Sequence, residues 1–182
     1  MFDKILVALN TEESYRPIFE RALALAQATG AELHLIGVIC NDSEAVQPLM
    51  SYPGVSGYPL TISDTLWSEY QEKYRQLKER SLQTLSNLVK EAERCGVRAK
   101  FLQQAGEAGR AICDRAKAIE ADLIVVGSHG RRGLDELLMG SVSSYVMHRA
   151  DCSVMVVHDK AARELAGAKG ISKRLTAPAS KR

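Results

Sequence analysis

No apolar run in this sequence approaches the ~18 residues that a helix needs to cross a bilayer, so a membrane-spanning segment is not expected. Met1 leads directly into Phe2-Asp3-Lys4-Ile5, without the charged and apolar regions of a secretory signal, and the expected setting is the cytoplasm. The four cysteines, Cys40, Cys95, Cys113 and Cys152, form no CxxC pair and no short Cys/His spacing, which speaks against a disulfide framework or a structural zinc site. They are expected to act as small buried hydrophobes. His34, His129, His148 and His158 are scattered and lack the spacing of metal ligands, so no metal centre is expected. No GxxxxGK[ST] loop occurs, and no GxGxxG follows the first apolar run, so neither of the two commonest phosphate-binding fingerprints is present.

What is there is a chain of 182 residues with 46% apolar content, enough for one globular domain with a core. The net charge of +2 is uneven, because residues 160–182 hold seven Lys or Arg against one Glu. That segment has no sustained apolar period and reads as a flexible basic tail. It lacks aromatic interleaving and an amphipathic stripe, so contact with nucleic acid or a membrane is not expected of it.

Short apolar runs at Ile5–Leu9, Leu33–Ile39 and Asp122–Val126 have the length and composition of strands buried on both faces. Between the first two, Ile18, Ala22, Leu25 and Ala26 repeat at helical spacing up to the stop at Gly30. Residues 41–66, with Pro48, Pro53 and Pro59, predict an irregular insertion. A long helix then runs from Trp67 to about Cys95, its stripe of Trp67, Tyr70, Tyr74, Leu77, Leu85 and Leu88 expected to face the core. A strand over 97–104, a helix marked by Ala108, Ile112 and Ala116, and a last strand at Val154–Val157 complete the pattern. Alternation of this kind predicts a Rossmann-like, doubly wound α/β fold: a parallel sheet with helices on both faces. The expected division is a domain over 1–159 and the tail over 160–182.

In such a sheet, ligands bind beyond the carboxyl ends of the strands, where strand order reverses. After the strand ending at Val126 comes Gly127-Ser128-His129-Gly130-Arg131-Arg132-Gly133-Leu134-Asp135-Glu136-Leu137-Leu138-Met139-Gly140-Ser141. Gly127 and Gly130 permit close backbone approach and positive φ. A helix opening near Gly140-Ser141 would present free N–H groups to an anion, the hydroxyls of Ser141 and Ser143 adding hydrogen bonds and Arg131 or Arg132 neutralising charge. The same glycines also fit simple turns and caps. His129 lies in the loop without an evident base–orienter partner, so binding or structural duty is expected of it and no catalytic residue is assigned. Asp135 and Glu136 could hold Mg²⁺ on a triphosphate or be solvated charges. Tyr52, Tyr58 and Trp67 could close over a ligand or pack on the long helix.

The spacing Gly127-x2-Gly130-x9-Gly140-Ser141 resembles that of ATP-binding universal stress proteins. The resemblance extends over residues 2–158, through Lys4–Leu9, Gly106-Glu107, Ala121–Gly130, Leu138–Ser143 and Val154–Val157. It implies a sheet of five parallel strands and a homodimer joined through the last strand, about 153–158. It implies an adenine nucleotide, ATP or AMP, held mainly by backbone N–H groups of Gly127, Gly130, Gly140, Ser141 and Val142, with Ala8, Leu9 and Asn10 after the first strand and Val38 beside the adenine. Asn10 stands where the family usually has Asp, losing a charge and gaining a donor. Ser153 stands where Pro is frequent. The implied function is a nucleotide-responsive stress regulator acting on an unidentified protein partner. A slow ATPase or phosphotransferase, a dimerising scaffold and a sensor of a cyclic adenine nucleotide or dinucleotide are the alternatives; intact glycines speak against the scaffold.

Overall fold

A computed structural model describes residues 1–12, 15–39, 64–128 and 139–158, with the side chains of the long helix described from Ser68 onward. The expected 41–66 insertion, apart from the first helical residues, and the 160–182 tail lie outside the described residues, as does Cys40.

Among the described residues, nine elements follow in the order β1 (Lys4–Leu9), α1 (Arg16–Thr29), β2 (Glu32–Ile39), α2 (Asp64–Arg94), β3 (Ala99–Ala105), α3 (Ala108–Ile119), β4 (Leu123–Gly127), α4 (Ser141–Arg149) and β5 (Ser153–Val157). All neighbouring strands are parallel, in the order β3-β2-β1-β4-β5. This is the expected doubly wound sheet. The α2 helix starts three residues before the expected Trp67, and β3 lies slightly later than 97–104.

Strand alternation splits the core in two. Ile5, Val7, Leu33, Leu35, Leu123 and Val125 meet Phe19 and Ala22 of α1 and Leu85 and Leu88 of α2. Leu6, Ile36, Ile124 and Val126 meet Ile112 and Ala116 of α3 and Val146 of α4 on the opposite face. Burial on both sides is why the central strands read as unbroken apolar runs. Gly30 ends α1 at φ 77°, its N–H donating to Ala26 O at 2.8 Å, in the left-handed cap that glycine adopts without penalty. Arg16 at the start of α1 grips Glu91 of α2 in a bidentate pair, both N–H···O distances 2.7 Å.

Two expectations need correction. The α2 stripe faces the core only in its second half: Leu85 and Leu88 are buried, whereas Tyr70, Tyr74 and Leu77 are partly exposed. A helix of 31 residues is about 46 Å long, whereas an eight-residue strand spans about 26 Å, so the amino-terminal half overhangs the sheet. Among the described cysteines, Cys95 is exposed and Cys113 and Cys152 are half-buried. Cys95 lies in the turn beyond α2, pointing away from the core, while Cys113 and Cys152 pack only at the margin of the α3/α4 core.

Candidate nucleotide site at the strand switch

From β1 the chain proceeds outward through β2 and β3, then returns to the other side of β1 for β4 and β5. The carboxyl ends of β1 and β4 therefore flank the switch point, the place where doubly wound sheets bind ligands because the connections leave toward opposite faces. Asn10 stands on one side of it and Gly127-Ser128 on the other.

The α4 helix begins at this end of β4 and is laced to it. The Gly140 N–H donates to Ser128 O at 2.7 Å. The Ser143 hydroxyl donates to Gly140 O at 2.9 Å and lies 3.5 Å from Ser128 O. Ser128 N–H in turn donates to Val157 O at 2.9 Å, which ties the junction to β5. The first intrahelical bond runs from Ser144 N–H to Gly140 O. The amides of Ser141, Val142 and Ser143 consequently have no acceptor among the described residues, and no side chain caps them. The first turn of α4 holds no acidic residue. Free N–H groups and the positive end of the helix dipole together favour an anion.

The structure places the sequence-predicted residues as follows. Gly127 is the last residue of β4, in register with Val157, and Gly140 caps α4 at φ −58° and ψ 152°. Among the described residues positive φ is found at Glu120, Gly30, Gly96 and Gly106; the left-handed backbone that the sequence allows at Gly127 is not used there, nor at Gly140, and Gly130 lies outside the described residues. The remaining asset of Gly127 and Gly140 is a missing side chain, which leaves the backbone approachable. Ser141 and Val142 are exposed. Ser143 is only 2% exposed, and the hydrogen bond expected from its hydroxyl to a ligand goes to Gly140 O instead. Its helical position turns it toward β4, leaving only its backbone N–H for the site.

Ala8 and Val38 are half-buried on the same face of the sheet as α4, at the ends of β1 and β2. Leu9 is buried on the opposite face, so only its backbone borders the switch point. Asn10 is exposed, and its Oδ1 accepts the Glu12 N–H at 3.2 Å in a local turn. Gly106 edges the same end of the sheet at φ 134°, its N–H donating to Ile39 O at 3.1 Å. His129, Gly130, Arg131, Arg132, Asp135, Glu136, Tyr52 and Tyr58, together with the Trp67 side chain, lie outside the described residues.

Among the described residues, no group of three His, Cys, Asp or Glu could hold a metal ion, and no helix is long and apolar enough to cross a membrane. Three of the groups whose titration the fold displaces sit at the other end of the sheet. Glu32 and His34 lie at the start of β2, and Asp122 immediately precedes β4. Sequence reasoning missed the junction between α3 and α4, where Gly109 lies against Tyr145. An isolated glycine inside a helical pattern was the available signal.

Comparison with known proteins agrees with this architecture. Residues 1–158 match the model of the universal stress protein family. Universal stress protein Sll1388 of Synechocystis is 36% identical over 157 residues, covering 86% of this chain and 97% of that protein. Among solved structures, protein MJ0577 of Methanocaldococcus jannaschii superposes with a TM-score of 0.67 at 24% identity, over 88% of this chain and 98% of its own. A universal stress protein family protein from Arabidopsis thaliana with AMP bound gives 0.57 at 22% identity, over 88% and 94%. A universal stress protein in complex with cAMP gives 0.52 at 20% identity, over 86% and 97%.

Proposed function

Because this chain belongs to the universal stress protein family, we propose that it binds an adenine nucleotide at the β1/β4 switch point and serves as a nucleotide-responsive stress regulator. One observation carries the reading: three successive amides, Ser141 to Ser143, without an acceptor among the described residues, stand at the start of a helix laced to the end of β4. That arrangement suits a phosphate, which the helix dipole stabilises without needing a lysine. Val38 and Ala8 then offer an apolar surface on the same face for the base, and the exposed Asn10 a side-chain NH₂ donor for ribose or base. The ligand in this reading is ATP or AMP, with Gly127, His129, Gly130 and Arg131 completing the cradle and Mg²⁺ accompanying a triphosphate. The relatives that carry AMP and cAMP support an adenine nucleotide, and the second of them makes a cyclic nucleotide the alternative ligand.

We further propose a homodimer through β5 in the cytoplasm. β5 is an outer strand of the sheet, and Val154, Met155 and Val156 are each partly exposed. An apolar edge of this kind invites pairing with another strand. The test of the binding reading is calorimetric titration with ATP, AMP and cyclic di-AMP after co-purified nucleotide has been stripped. Saturable binding of ATP or AMP in the micromolar range, about −8 kcal/mol, is the expected result. Binding of cyclic di-AMP alone would replace the ligand, and binding of none would leave a dimerising scaffold.

A further inference from the structure

The face of the sheet that carries α4 contains one junction with no room for a methyl group. Gly109 is the second residue of α3, and a Cβ there would lie 2.7 Å from Tyr145 Cδ1, 2.8 Å from Cγ and 3.0 Å from Cβ. Local propensity does not select glycine at this point, because glycine costs a helix interior up to about 1 kcal/mol relative to alanine. Close approach of the helices does. Tyr145 is half-buried and lies one turn after the free amides of α4, with the Arg149 guanidinium 5.8 Å from its ring centroid. Rotation of the ring would not clear the contact, since the Tyr145 Cβ itself stands at 3.0 Å and moves only with the helix.

Two constraints therefore seat α4. At its start, Gly140 N–H donates to Ser128 O just beyond β4, and the Ser143 hydroxyl lies 3.5 Å from the same oxygen. One turn later, the bare α carbon of Gly109 admits Tyr145. We propose that Gly109 is a positioning residue of the nucleotide site, setting the depth of α4 and thereby the direction of the Ser141, Val142 and Ser143 amides. This inference rests on the nucleotide reading above. Carbon atoms in ordinary contact stand about 3.5–4.0 Å apart, so a methyl at position 109 displaces α4 by roughly 1 Å. Hydrogen bonds from amides to phosphate weaken steeply on that scale, whereas contacts at Val38 and Asn10 stay put.

The experiment measures AMP, ATP and adenosine binding to the wild-type chain, Gly109→Ala, Tyr145→Ala and the double variant, with urea unfolding of each. Gly109→Ala is expected to weaken AMP and ATP about tenfold while leaving adenosine unchanged, because only the phosphate reads the α4 amides. In the Tyr145→Ala background the same change should cost much less than tenfold in AMP affinity, since the ring atoms at 2.7 and 2.8 Å are gone and only the Cβ contact at 3.0 Å remains. Unchanged AMP affinity in Gly109→Ala overturns the proposal. So do equal losses for AMP and adenosine, which would mean general loosening. Should Gly109→Ala fail to fold, the comparison of the double variant with Tyr145→Ala decides: a loss of AMP affinity that is still about tenfold overturns the proposal, and a much smaller one supports it. A wild-type chain that binds no phosphate-bearing ligand removes the nucleotide reading and this inference together; a wild-type chain that binds, with an indifferent Gly109→Ala, removes this inference alone.

Discussion

His34 Nε2 lies 3.5 Å from Glu32 Oε1 on the same face of β2, and neither imidazole nitrogen has a hydrogen-bond partner among the described residues. Lys100 Nζ of the neighbouring strand stands 2.7 Å from that same Glu32 oxygen, close enough for an ion pair though not aligned as a hydrogen bond to it. Burial pushes the His34 pKa below its ordinary 6.5; the Glu32 carboxylate opposes this, and the charges of Lys100, Arg115 and Lys4 reinforce it. Lys100 holds Glu32 below its ordinary 4.5. The folded protein therefore keeps His34 neutral where an unfolded chain would protonate it. As pH falls below 6.5 the unfolded state gains a proton that the native state refuses, and stability declines until the folded pKa is reached. Glu32 acts lower: its contribution is complete above 4.5 and is lost as pH drops through its lowered folded value. Urea midpoints are expected to fall between about pH 7 and 5 in the wild type, and to stay flatter there in His34→Gln. Parallel curves for the two proteins would sink this assignment.

Asp122 binds the start of the chain to the start of β4. Its Oδ2 accepts the N–H groups of Asp3 and Lys4, each at 2.8 Å. These bonds lower its pKa from 3.8, so the stability they give is present above that value and is lost as pH falls through the folded one. Asp122→Ala is expected to cost about 1–2 kcal/mol, at the modest end because solvent reaches the pair. Chemical denaturation measures this directly. Nucleotide affinity should not change, since Asp122 lies at the opposite end of the sheet from the switch point.

Gly37 has no side chain because α2 lies directly over it. A Cβ there would stand 2.9 Å from Leu85 Cδ1 and 3.2 Å from Ser81 Oγ. Leu85 is fully buried, so its methyl has nowhere to retreat. Gly37→Ala should destabilise the fold by about 1–3 kcal/mol through overpacking. A thermal midpoint at or above that of the wild type would show that α2 yields more easily than its packing implies.

Under the proposed nucleotide reading, Gly140 is expected to separate binding from folding. Its φ of −58° and ψ of 152° lie in a region open to any L-residue, so Gly140→Val introduces no backbone strain. The new side chain would stand beside the free amides of α4 and occupy the phosphate position. Loss of nucleotide binding with a cooperative urea transition close to that of the wild type is the expected pair of results. Unaltered affinity would place the cradle elsewhere.

The sequence by itself determined the doubly wound alternation, because strands sandwiched between helices must be apolar on both faces and Ile5–Leu9 and Leu123–Val126 are. It also placed the stop at Gly30 and the opening of α4 at Ser141, since caps and turn glycines act within a few residues. Tertiary structure alone decided which way individual side chains turned. Ser143 belongs to the periodic start of a helix and could have faced a ligand, but packing against β4 directed its hydroxyl to Gly140 O. Tyr70 and Tyr74 share a stripe with Leu85, yet α2 outruns the sheet before the stripe ends. Periodicity marks which face of an element is apolar; it does not say where the neighbouring layer stops. The fit of Tyr145 against Gly109, and of Asp122 against the first strand, required elements distant in sequence to meet, and only the strand order 3-2-1-4-5 brings them together.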